Sequence, residues 1–368
     1  MKIAILGTRG IPASYGGFET FAEELSTRLA AKGHQVTVYS RKGSVKWSEP
    51  YYKGVRIVQL PTIRHKYLDT VVHTFLSTLH VMFSDNQVVY YCNAINSVFL
   101  FLPRLAGKKS IINVDGLEWK RKKWNRIGKL AYQISEWLAT CFANEIITDS
   151  KRMQLYYEKK FNKKSTYISY GASPDAPDGR EDILKILGLN RRQYLLYVSR
   201  FEPENNAHIM VEAFERVKTE MPLVMVGDAP YGKPYINQLR ATKDPRIKFV
   251  GSIYGAGYVT LQKNAFLYLH GNEVGGTNPA LLEAMAFGNC VLANGVGFNR
   301  EVIGNAGFWF RPGNVDDLKG KIEYLLSHPD HADECRKLAV ERIRAHYSWD
   351  DVASQYEAFF VKLMERNK

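Results

Sequence analysis

Short apolar runs alternate along this chain with longer segments in which apolar residues recur every three or four positions. Residues 2–6, Lys-Ile-Ala-Ile-Leu, read as a strand. Phe18, Phe21, Ala22, Leu25 and Leu29 then mark one face of a helix that Gly33 stops. Further strands are predicted at 35–40, 54–60, 87–92, 109–114, 145–149 and 165–169. Leu68, Val71, Val72, Phe75, Leu79 and Phe83 form a helical stripe expected to face the sheet, with a membrane surface as the other reading. A break rich in glycine and proline (Gly171, Pro174, Pro177, Gly179, Gly188) spans 171–192. A second series of strands follows at 194–199, 222–227, 246–250, 265–270 and 290–293. The chain closes on a helix with Trp349, Val352, Tyr356, Phe359, Phe360 and Leu363 on one stripe. This alternation predicts an α/β protein of two doubly wound parallel sheets, divided into residues 1–172 and 173–348. In such sheets ligands bind at the carboxyl ends of the strands.

The length of 368 residues suits two domains, each with its own core. Met1 leads straight into the first strand without a basic leader segment, so a cytoplasmic protein is expected. No apolar run reaches the roughly 18–20 residues of a membrane span. The four cysteines lack metal spacing and read as reduced, buried thiols. Charge changes the picture more. Residues 1–172 hold 26 Lys/Arg against 12 Asp/Glu, a net of +14, whereas residues 173–368 hold 24 against 25. Nine of the basic side chains fall within 104–129, around Glu118, Trp119, Lys120, Arg121, Lys122, Lys123 and Trp124. Basic residues interleaved with tryptophan suit an anionic membrane surface, and equally nucleic acid.

The densest candidate chemistry lies at 271–288. An apolar strand runs into Gly275-Gly276, then Thr277-Asn278-Pro279, then a helix. Thr277 and Asn278 are natural caps, and Pro279 fits the first helical position. Such a junction aims backbone N–H groups and a positive dipole end at an anion. Glu283, one turn into the helix, is placed to accept from sugar hydroxyls. Arg200, at the end of the first strand of the second series, suits a pyrophosphate, with Asn205 and Asn206 beside it. In the first half, the loop Gly7–Glu19 is too long for a dinucleotide turn and lacks the Lys of a P-loop. Its Gly16-Gly17 pair allows close approach of a ligand. Asp115, Asp149 and Tyr170 end three successive predicted strands and form a candidate polar rim. No Asp-x-Asp pair or His/Cys cluster implies a metal, so Arg200 and the helix end are expected to carry the diphosphate charge.

These residues resemble the GT-B glycosyltransferases of family 4 over nearly the whole chain. Gly16-Gly17-x-Glu19 is similar to that family's N-terminal glycine loop, and Leu281-Leu-Glu283-Ala-Met-Ala to its ribose-binding helix. The closing Tyr347-Ser-Trp349 and its helix look like the segment that returns to the N-terminal domain, so 349–368 is assigned there. Four blocks, Gly10 to Thr20, Asp115 to Arg121, Pro203 to Asn206 and Val274 to Pro279, are similar to bacterial rhamnosyltransferases. The resemblance implies retaining transfer of L-rhamnose from dTDP-β-L-rhamnose to an undecaprenyl-pyrophosphate-linked saccharide at the inner face of the plasma membrane. The implied pathway is capsule, O-antigen or cell-wall polysaccharide synthesis. It implies donor contacts from Gly16, Gly17, Tyr170, Arg200, Asn205, Asn206, Gly275, Gly276, Thr277, Asn278 and Glu283. Asp115 and Asp149 would meet the transferred sugar or acceptor, without metal or cofactor. Three positions depart from the broad family: Gly275 replaces its donor-sugar Glu, Asn205 its phosphate-binding Lys, and Asp115 its His. These departures weigh against glucose or mannose donors. A family member using UDP-glucose or GDP-mannose, a nucleotide-sugar 2-epimerase and a basic nucleic-acid-binding protein are the alternatives, with nucleic acid not expected as a partner.

Overall fold

The computed structural model describes residues 1–13, 16–65, 67–122, 124–175, 182–229 and 232–366. Ser14 and Tyr15 of the first loop, Lys123, and the middle of the 171–192 break lie outside the described residues. The chain divides into two compact units. The first comprises Met1–Lys120, Trp124–Tyr170 and Trp349–Lys368, the second Arg121–Lys123 and Gly171–Ser348.

In the first unit an eight-stranded sheet runs in the order Tyr51–Tyr52, Val55–Leu60, Gln35–Arg41, Lys2–Leu6, Val88–Cys92, Lys109–Val114, Glu145–Thr148, Thr166–Tyr167. Only the short Tyr51–Tyr52 strand pairs antiparallel. Strand order reverses between Lys2–Leu6 and Val88–Cys92, which puts the crevice of this sheet beside the first glycine loop. The central strands are nearly continuous runs of buried side chains, as a sheet covered on both faces requires. The helix Trp349–Glu365 returns to this unit and packs on the helix Gly17–Ala31. Tyr356 Oη lies 2.9 Å from Tyr90 Oη, the Phe21 ring packs tilted on Tyr356 at 5.5 Å, and Arg28 Nε is 2.7 Å from Asp350 Oδ1.

One helix reverses its expected orientation. Asp69–Met82 buries His73, Thr74, Ser77, Thr78 and Val81, while Phe75, Leu79 and the following Phe83 are exposed. Two of the buried hydroxyls, those of Ser77 and Thr78, are satisfied locally. Ser77 donates to the His73 carbonyl at 2.8 Å, and Thr78 donates to the Thr74 carbonyl at 2.7 Å and meets Tyr91 Oη at 2.9 Å. Small polar side chains thus fit against the sheet where the apolar stripe was expected. Burial, and then the nearby Arg41 guanidinium, push the His73 imidazole down to about 4. An unfolded histidine titrates near 6.5. Above that pH neither state binds the proton; between about 6.5 and 4 only the unfolded chain does, so stability falls as pH drops through that window. Acidifying from about pH 7.5 to 5 is expected to cost His73 about 2 kcal/mol. His73→Leu should flatten the thermal-stability profile over that range, and an equally steep profile would contradict the assignment.

The second unit holds a six-stranded parallel sheet in the order Ile247–Gly251, Leu223–Val226, Leu195–Val198, Leu267–His270, Val291–Asn294, Phe308–Phe310. Its order reverses between Leu195–Val198 and Leu267–His270. The loops that leave these two strands begin at Ser199-Arg200 and Gly271, and both open onto the switch point. One core cluster joins strands to covering helices through Leu195, Tyr197, Met210, Phe214, Met225, Leu269, Leu292 and Phe310.

Candidate functional site

In the second unit the loop 271–278 is shaped from behind by asparagines. Asn206, in the left-handed region at φ 58°, donates through Nδ2 to the Gly271 carbonyl at 2.9 Å and to Glu273 Oε2 at 3.3 Å. Asn294 Nδ2 reaches the same carbonyl at 3.0 Å, and Asn299 Nδ2 bonds the Asn272 and Asn294 carbonyls at 2.9 Å each. Asn205 Nδ2 closes its own loop on the Arg200 carbonyl at 2.7 Å. A Cβ on Gly271 would sit 2.3 Å from the Asn205 carbonyl oxygen, so the two loops approach this closely only because position 271 is glycine. Asn205 and Asn206, expected at the donor, are buried here and clamp the two loops through their side-chain amides. Asn294 and Asn299 were not anticipated; the available signal was polar residues ending and following an otherwise apolar strand.

The junction itself has the expected caps. Asn278 is the N-cap of the helix Pro279–Ala286, its Oδ1 accepting from Ala280 N at 3.0 Å, and Pro279 takes the first helical position. Gly276 and Thr277 are buried ahead of it, and Gly275 is half-buried at φ 143°, a backbone conformation that favours glycine. Arg200 is exposed, and its guanidinium forms no ion pair with Glu202 or Glu204 among the described residues. Glu283 is half-buried and held by a relay the sequence did not disclose. Tyr258 Oη donates to Glu283 Oε2 at 2.7 Å, Gln262 Nε2 donates to Tyr258 Oη at 3.0 Å, and Asn289 Nδ2 donates to Gln262 Oε1 at 2.9 Å. Gln262 and Asn289 are fully buried, so the carboxylate is fixed in rotamer and the tyrosine proton is committed to it. Beneath the loop, His270 is buried with neither ring nitrogen bonded, and burial pushes it down to about 3, leaving it neutral.

In the first unit Gly16 is the extended N-cap of the helix that Gly17 opens. Acids from that helix hold the loop: Glu19 Oε1 accepts from Arg9 N at 2.9 Å and Glu23 Oε2 from Ala13 N at 2.7 Å. Burial raises the Glu19 carboxyl above its ordinary range, with the Arg9 bond opposing. Asp115 and Asp149 follow the neighbouring parallel strands Lys109–Val114 and Glu145–Thr148. Asp115 is half-buried, whereas Asp149, expected at the transferred sugar, has no exposed surface. Ser150, not Asp149, caps the next helix, accepting from Met153 N at 3.3 Å. Tyr170 is buried edge-on to Phe18 at 6.5 Å and against Phe21 at 5.4 Å. Burial first, then the charges of Asp115 and Asp149, raise its hydroxyl pKa. Tyr170, expected at the donor, is here a packed aromatic of the first unit.

The basic loop also differs from expectation. Trp119 is half-buried with the ammonium groups of Lys120 and Lys160 at 5.6 and 5.7 Å, and Trp124 packs on Tyr67 and Tyr132 at 6.0 and 5.3 Å. Glu118 is buried. Arg121 and Lys122 group with the second unit, where they lie 3.8 Å from Glu204 Oε1 and 3.5 Å from Glu273 Oε1. The Trp119 and Trp124 rings, expected at a membrane surface, are thus half-buried and packed on neighbouring side chains. Of the cysteines, Cys92, Cys290 and Cys335 are buried, but Cys141 is exposed, against expectation.

Two doubly wound units make up this α/β protein, and the second carries at its switch point a helix N-terminus of the kind that suits an anion. Residues 179–342 match the family described as Glycosyl transferases group 1, and residues 1–173 match a domain of unknown function, DUF1972. An uncharacterized glycosyltransferase of Methanocaldococcus jannaschii is 23% identical over 99% of each chain. O-antigen chain mannosyltransferase B of Escherichia coli is 27% identical over 50% of this chain and 49% of its own. Anabaena HepE in complex with UDP-glucose shares the fold with a TM-score of 0.80 at 17% identity, covering 98% of this chain and all of that one. Residues 179–342 are thus similar to the glycosyl transferases of group 1, and the chain has the two-domain GT-B fold.

Proposed function

We propose that this glycosyltransferase moves L-rhamnose from dTDP-β-L-rhamnose, with retention, onto a lipid-linked pyrophosphate saccharide in surface-polysaccharide synthesis. The observation that carries the reading is the junction 275–283. Gly275 stands where the wider family is expected to bring a donor-sugar carboxylate, and Glu283 is locked for a ribose hydroxyl. Arg200 and the N-terminal end of Pro279–Ala286 supply positive potential to the diphosphate, which gains charge as the sugar departs. Asp115 lies on the acceptor side, with Asp149 behind it. The bond from the donor phosphate oxygen to the anomeric carbon breaks, the acceptor oxygen bonds that carbon, and the acceptor proton passes to the departing phosphate. The O-antigen mannosyltransferase resemblance supports a polysaccharide product.

Thermal unfolding of the purified chain with dTDP-β-L-rhamnose, UDP-glucose and GDP-mannose tests donor choice. A ligand at 100 times its Kd adds about 2.7 kcal/mol. The rhamnose donor is expected to stabilise the chain most; a larger shift with UDP-glucose or GDP-mannose would overturn the rhamnose assignment.

A further inference from the structure

The helix Arg126–Phe142 is built inside out. It turns Tyr132, Ser135, Glu136 and Ala139 to the protein interior, while Ile127, Leu130, Ile134 and Trp137 are 77%, 56%, 47% and 55% exposed. Their spacing of three and four residues places them on one narrow stripe about 15 Å long at 1.5 Å per residue. The buried carboxylate is deliberate: Glu136 Oε2 accepts from Tyr156 Oη at 2.8 Å and from Lys160 Nζ at 3.1 Å. Asp69–Met82 shows the same inversion, with Phe75, Leu79 and Phe83 outward. The segment between them continues the apolar surface. Phe75 rests on the buried Phe99 at 5.8 Å, the exposed Phe101 meets Phe142 at 5.6 Å, and Leu105 is 77% exposed.

We infer that this face of the first unit seats in an anionic phospholipid surface, with Arg126–Phe142 lying in the plane of the interface. An apolar patch of this extent on a monomer marks an interaction site. Charge selects the occupant. The one acid of Arg126–Phe142 is turned inward, and that of Asp69–Met82, Asp69, is paired with Arg41 at 2.6 Å. Arg126 and Lys129 stand on the same helix, and Arg104 donates to the Phe142 carbonyl at its end at 3.0 Å, within a chain half of net +14. A second copy would bring an equally cationic face against it, whereas anionic headgroups meet these basic side chains while acyl chains receive the apolar stripe. The inference deepens the proposed use of a lipid-linked acceptor and relocates docking from the 119–124 loop to these helices.

Co-sedimentation with phosphatidylcholine vesicles, with and without one quarter phosphatidylglycerol, tests it in the absence of donor and acceptor. The wild-type chain is expected to bind the anionic vesicles, and the combined variant Ile127→Ser, Leu130→Ser, Ile134→Ser, Trp137→Ser to lose on the order of tenfold in partitioning. Because all four side chains are exposed, the variant should keep its circular dichroism and its transfer to a water-soluble acceptor. A variant that loses its fold is replaced by Ile127→Ser with Trp137→Ser, for which a smaller loss is expected. Equal vesicle binding by wild type and variant, or no binding by wild type, overturns the inference. So does a wild-type dimer that the substitutions dissolve, since the occupant is then a second copy. Vesicle binding without transfer from any nucleotide-sugar would defeat the proposed function and leave this surface standing; solution transfer without vesicle binding would do the reverse.

Discussion

Arg200→Ala should cut kcat by about 10²–10³-fold while changing donor affinity far less. The side chain is exposed at the strand end and unspent on Glu202 or Glu204, so its charge is available to the diphosphate. Negative charge on that group grows as the glycosidic oxygen departs, and an interaction that strengthens in the transition state appears in kcat rather than in binding. Removing one preorganised donor to a developing anion costs about 2.7–4 kcal/mol. Arg200→Lys keeps the charge but not the bidentate fork, and intermediate activity is expected. Steady-state kinetics decide: wild-type kcat in Arg200→Ala, with the fold intact, would remove this residue from the site.

Glu283→Gln should weaken donor binding by about 10–100-fold, the range expected for hydrogen bonds to a charged group at about 1.5–3 kcal/mol. The relay behind it sharpens the test. Tyr258→Phe deletes the bond to Glu283 Oε2 without touching the carboxylate, so it should raise donor KM by a smaller factor, about fivefold, with little change in kcat. A purely structural role for Tyr258 would lower thermal stability and leave KM alone. In Glu283→Gln the relay has already lost its charged end, so adding Tyr258→Phe should cost less than in the wild type. Full additivity of the two substitutions would contradict the coupling.

The alternation of strand and helix was legible because each fully buried parallel strand here is a short apolar run bounded by turn residues. The N-cap Asn278, Pro279 and the glycines around the switch point were legible for the same local reason. Direction was not. In Asp69–Met82 both the apolar stripe and the set His73, Thr74, Ser77, Thr78 recur at helical spacing, so periodicity defines two faces without saying which is inward. Side-chain partners distant in sequence were equally hidden. Nothing near Trp124 announces Tyr67, and nothing near Glu283 announces Tyr258 or, through Gln262, Asn289. Asn205 and Asn206 look like ligand residues in a polar loop, yet their orientation follows from the left-handed backbone at 206 and the approach of Gly271. The short strands Tyr51–Tyr52 and Phe308–Phe310 escaped notice because two or three residues carry no period.

The central claim is that this chain transfers the sugar of a nucleotide donor at the switch point of its second unit. Its most direct test is mass spectrometry of products after incubating the purified chain, in buffer containing EDTA, with dTDP-β-L-rhamnose and an undecaprenyl-pyrophosphate saccharide. The account predicts one rhamnose added per dTDP released, with the anomeric configuration retained, and the product absent with Arg200→Ala over the same interval. Release of dTDP without a glycosylated lipid, or undiminished product from the Arg200→Ala chain, would contradict it.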